Sequence, residues 1–62
     1  MSHRQKLNKI RFKLADSYLK RRNLAGAIEV AWEILEDQPN NRKGIRILRT
    51  AREEERKLSV AA

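Results

Sequence analysis

The chain has no cysteine, one histidine, one proline, two glycines and three aromatic residues among 62 positions. Without cysteine it has neither a disulfide staple nor a thiolate metal site. The lone His3 has no second histidine for a zinc site and no nucleophile or carboxylate at helical spacing for catalysis. Ser17 has no base beside it. Gly26 and Gly44 stand apart, so no glycine-rich loop is present to cradle a phosphate. With Tyr18 expected inside, too few aromatics remain for a base-stacking platform. No apolar run approaches the ~20 residues that cross a bilayer. The basic N-terminus, MSHRQKLNKIRFKL, lacks the apolar core and cleavage site of a signal peptide, so the expected location is the cytoplasm. These absences point away from an enzyme, a cofactor or a metal centre.

A chain this short forms one domain and buries only about 60% of its unfolded surface, so its stability is marginal unless packing is supplemented by self-association or a partner. Charge is abundant. The net value is +7 and the pI about 10.6, which favours nucleic acid, an anionic membrane surface or an acidic protein as a partner. The plainer reading is that a basic surface keeps a small protein in solution.

Hydrophobic spacing predicts three helices and no strands, an all-α fold. Ser2 and Gln5 have capping-box spacing, and the first helix runs from about His3 to Arg21. Leu7, Ile10, Leu14 and Tyr18 recur at three and four and are expected on its packed face, widened by Phe12, Ala15 and Leu19. Arg22-Asn23 breaks it, with Asn23 suited to the left-handed conformation. The second helix runs from Leu24 or Ala25 to Asp37, with Leu24, Ala27, Ile28, Ala31, Ile34 and Leu35 as its stripe and Val30 and Trp32 on the shoulders. Pro39 ends it at Gln38, and Asn40 or Asn41 caps the third helix. That helix is expected over 42–58, with 59–62 frayed, and as the least stable of the three. Its stripe is Ile47, Leu48, Ala51 and Leu58, with Ile45 nearby, and Gly44 weakens its start by up to ~1 kcal/mol relative to alanine.

Charge segregates along the chain: residues 1–23 carry +7, residues 24–37 carry −4 and residues 38–62 carry +4. An acidic middle helix between two basic ones favours side-by-side packing. Each surface pair contributes only ~0–1 kcal/mol, so charge selects the arrangement more than it stabilises it.

Leu14, Ala15, Tyr18, Ala27 and Pro39, with Asn40-Asn41 behind the proline, stand at separations that resemble one tetratricopeptide repeat over residues 8–41. The resemblance implies an antiparallel helical hairpin that binds other proteins, with the small Ala15 and Ala27 allowing close approach and 42–58 serving as a capping helix. The chain departs from the family where Arg11 replaces a bulky aromatic, where Arg22 replaces a glycine-like turn residue, and where Ala31 and Ile34 reverse a large-then-small pair. Such repeats cover one another's apolar faces, and about three are needed for independent stability. One face therefore needs a cover, and a homodimer built on Phe12, Leu19, Ile28 and Trp32 is the expectation.

Two sets of residues are candidates for function. Arg42, Arg49 and Arg56 recur every seven positions with Arg46 and Arg52 beside them, a stripe able to grip phosphate or carboxylate. Its bland alternative is pairing with Glu53, Glu54, Glu55 and the second helix. Trp32 is an interface anchor or a core residue. Glu29, Glu33 and Glu36 share a helix face and read as solvated. The leading expectation is a non-enzymatic protein-interaction module that self-associates and takes a protein partner, acidic by charge. A basic nucleic-acid- or ribosome-associated protein is the second, and a designed or excised repeat with no function of its own the third.

Overall fold

The computed structural model describes the backbone of residues 3–61 and the side chains of residues 6–59. It contains three helices, α1 (His3–Lys20), α2 (Leu24–Asp37) and α3 (Arg42–Ala61), and no strand among the described residues. The expected cap at Ser2 lies outside these residues, as does Ala62.

Two short turns fold the helices back on one another. At the first, the Asn23 N–H donates to the Tyr18 carbonyl at 2.8 Å and the Arg22 N–H to the Leu19 carbonyl at 3.1 Å. This is the Schellman pattern, which needs a left-handed residue just past the helix. That residue is Arg22, with φ 62°, and not Asn23, with φ −86°. Asn23 is occupied otherwise: its side chain accepts from the Gly26 N–H at 3.1 Å and caps α2. At the second turn the Asn41 N–H donates to the Gln38 carbonyl at 3.0 Å, closing a turn with Pro39 and Asn40 at its centre. Asn41 then caps α3 by accepting from the Gly44 N–H at 3.0 Å. Beyond residue 58 no glycine or proline interrupts the sequence, and α3 continues to Ala61, one turn further than expected.

The core is a seam of small residues. Ala15, Ala27, Ala31 and Ala51 are fully buried, and Ile34 is the largest side chain completely out of solvent. Phe12, Tyr18, Leu19 and Leu48 pack against this cluster from its edges. Val30 is buried and not on a shoulder. Gly44 is also buried: a methyl group there would stand 2.9 Å from the Ile34 Cγ2 and 3.2 Å from a Leu35 methyl. Its role is close approach of α3 to α2, which the sequence expectation, a weakened helix start, did not contain.

α1 and α3 both run antiparallel to α2, but they are staggered. Lys43, the second residue of α3, has its Nζ 5.2 Å from the ring centre of Phe12, halfway along α1, and Glu54 meets Arg22 past the end of α1. The molecule is accordingly long, 44 × 21 × 13 Å. The packed face of α1 differs from the expected one. Asn8 and Ala15 are its buried residues, with Arg11, Phe12, Tyr18 and Leu19 beside them, whereas Leu7, Ile10 and Leu14 are exposed. α2 is met through the alanine seam and α3 lies on the Phe12 side, so none of the described residues covers the leucine stripe. At the other end Leu58 is exposed because α3 overhangs its neighbours.

Candidate functional site

The structure joins the two candidate sets that are separate in sequence. Trp32 lies on the edge of α2, 46% exposed, and the guanidinium carbon of Arg52 from α3 stands 5.6 Å from its ring centre. That is cation–π distance, worth about 0.5–1 kcal/mol at an exposed site. Arg52 also lines a shallow groove with Ile45, Leu48, Arg49, Glu53 and Arg56. These positions lie three and four apart, so helical geometry puts them on one face. The groove floor is apolar, from Ile45 and the half-buried Leu48, and its rim carries Arg49, Arg52 and Arg56 with one carboxylate, Glu53, among them. Trp32 is thereby an exposed aromatic and not a core residue.

The five arginines divide. All five are exposed; Arg42, Arg49 and Arg56 share the outward side of α3 by helical phase, and Arg52 lies at its α2 edge over Trp32. Arg46 turns toward α1 and lines a different cleft with Phe12, Asp16, Lys43 and Ile47. None of the five forms an ion pair with a described carboxylate. Of the expected partners Glu53, Glu54 and Glu55, Glu54 instead meets Arg22 at 2.9 Å and Lys57 at 3.8 Å. The guanidinium donors of these arginines therefore have no carboxylate acceptor among the described residues.

The interface residues expected for a homodimer do not form one free surface. Phe12 and Leu19 pack against the core cluster, Ile28 is half-buried, and Trp32 is the one of the four that is largely exposed. α3 occupies the side where Phe12 points. Of the repeat positions, Ala15 and Ala27 are buried, Tyr18 packs against the cluster and contacts the first turn of α2 near Gly26, Leu14 faces outward and Pro39 sits in the second turn.

One arrangement lay outside the sequence reading. Asn8, 3% exposed, accepts from an Arg11 guanidinium N–H at 3.0 Å, and Arg11 Nε lies 3.7 Å from a Glu33 carboxylate oxygen. This polar relay joins α1 to α2 where the repeat family carries an aromatic. The three-residue spacing of Asn8 and Arg11 was the available signal. Glu29 and Glu36 remain exposed on α2. No family model, curated protein or solved structure matches this chain.

Proposed function

We propose that this chain is a non-enzymatic interaction module, a single tetratricopeptide-like hairpin with a third helix, that takes an acidic protein segment on the α2–α3 edge. The supporting observation is the apolar groove of Ile45 and Leu48 rimmed by Arg49, Arg52 and Arg56, with Arg52 standing over Trp32. An acidic amphipathic helix matches this chemistry: its apolar side meets Ile45, Leu48 and the Trp32 ring, and its carboxylates meet the arginine forks bidentately.

Trp32 is the only tryptophan, so its fluorescence reports directly on the groove. Titration with a synthetic Glu/Leu helical peptide should shift its emission saturably. Arg49→Glu should weaken that binding about tenfold, and Trp32→Ala, followed by labelled-peptide anisotropy, should weaken it by a similar factor. A peptide that leaves Trp32 emission and anisotropy unchanged would remove the proposal.

A second reading is favoured by one specific observation, the repeat of Arg42, Arg49 and Arg56 at every second turn of α3, none of them paired with a described carboxylate. These suit a phosphate backbone. In that case duplex DNA or RNA should bind with affinity falling steeply as salt rises, and Trp32→Ala should matter little.

A further inference from the structure

The hairpin has a face that neither α3 nor the proposed peptide touches. On α1 it carries Leu7, Ile10 and Leu14, spaced at three and four, with Ile10 62% exposed. Lys6, Lys9 and Lys13 run alongside and wall Ile10 in a shallow depression. All three lysines are exposed, and none pairs with a described carboxylate. On α2 the neighbouring outward residues are Glu29, Glu33 and Glu36, also exposed.

We infer that this face binds a second copy of the chain. Two hairpins pack open face to open face, with α1 of each antiparallel to α2 of the other, closing a four-helix bundle about a twofold axis. Such an interface is isologous, so one surface must complement itself. This one does. Going up α1, the lysines are separated by three and then four residues; going down α2 from Glu36, the glutamates are separated by three and then four. At about 1.5 Å per residue the steps are about 4.5 and 6 Å on both helices. Antiparallel pairing therefore aligns Lys6 with Glu36, Lys9 with Glu33 and Lys13 with Glu29, beside a seam formed by the leucine stripe.

Other pairings of the same chain are disfavoured by charge. α1 against α1 sets lysine against lysine, and α1 against the outward side of α3 sets lysine against arginine. α2 is the one helix of net negative charge. Glu33 has 56% of its side chain exposed despite its contact with Arg11, which leaves it an oxygen for a lysine of the second copy. The apolar gain falls on a small chain in which half of the buried apolar residues are alanine, where added burial matters most.

Sedimentation equilibrium across a concentration series is the test. The expected species is a dimer of twice the 7.3 kDa chain mass. Ile10→Glu should weaken it about tenfold while far-UV circular dichroism holds, since Ile10 is solvent-facing in the monomer. Lys13→Glu and Glu29→Lys should each weaken it about threefold, and an equimolar mixture of the two variants should recover wild-type affinity within about twofold, because the mixed dimer sets opposite charges at both symmetry-related contacts. A wild-type chain that stays monomeric to millimolar concentration would overturn the inference. So would a dimer indifferent to Ile10→Glu, or a mixture no tighter than either variant alone. The arginine groove lies elsewhere, so peptide binding by the Ile10→Glu chain reports on the proposed function separately.

Discussion

Arg22 holds a backbone conformation that glycine adopts freely and other residues adopt at a cost of about 1–2 kcal/mol. Part of that cost is offset by its 2.9 Å contact with Glu54, an exposed pair worth ~0–1 kcal/mol. Arg22→Ala removes the contact and keeps the strain, so it should lower stability by up to about 1 kcal/mol. Arg22→Gly removes both and should be the more stable of the two variants by about 1 kcal/mol. Urea denaturation of the pair, compared at equal m-value, checks the difference, and an alanine variant equal to the glycine one would contradict it. The position was visible in the sequence as the place where a repeat carries a turn residue. The conformation was assigned to its neighbour, because Asn is the better left-handed residue in isolation. Asn23 could not serve both turns: an N-cap needs negative φ and a side chain aimed at the new helix.

Helix ends were legible because proline, asparagine and the switch in apolar spacing act locally. The faces were less so. Leu7, Ile10, Leu14 and Tyr18 form a regular stripe, yet the packed face of α1 centres on Ala15, since contact is set by how closely two backbones approach and not by side-chain size. Gly44 makes the same point at the α2–α3 contact. By helix propensity Gly44→Ala should stabilise by ~1 kcal/mol. The new methyl would stand 2.9 Å from Ile34 Cγ2, on a β-branched and fully buried side chain with little freedom to turn aside. Overpacking costs ~1–3 kcal/mol, so the net change should be destabilising by about 1 kcal/mol, read as a lower urea midpoint. Asn41→Ala removes the α3 cap and should cost about 1 kcal/mol in the same assay. Among described side chains of α3, burial ends at Ala51, with Glu54 half-covered. Amide exchange should be slow through Ile47 to Ala51 and much faster over 55–59; equal protection along the helix would show that the overhang is covered.

At the scale of the whole molecule, the segregation of charge into basic, acidic and basic segments was readable directly, but among the described residues only the Arg11–Glu33 ion pair joins α1 to α2 and none joins α2 to α3, so the apolar cluster holds the bundle. Which flank of the hairpin the third helix would take was not readable, since Phe12 and Leu19 on one side and Leu7 and Leu14 on the other are equally apolar. That choice depends on the Gly44 contact and the reach from Lys43 to Phe12, both long-range in sequence. It moved the uncovered surface from Phe12 and Leu19 to the leucine stripe, and it brought Trp32 within reach of Arg52. The stagger between α1 and α3 bears on how the chain can be lengthened. α3 starts midway along α1 and runs on past it, which leaves its last turns free to take a further helix. A second Leu24–Asp37 segment spliced behind α3 would land on Leu58, which is in helical phase with Ile47 and Ala51, and each such insertion should raise the melting temperature without changing the helical signal per residue.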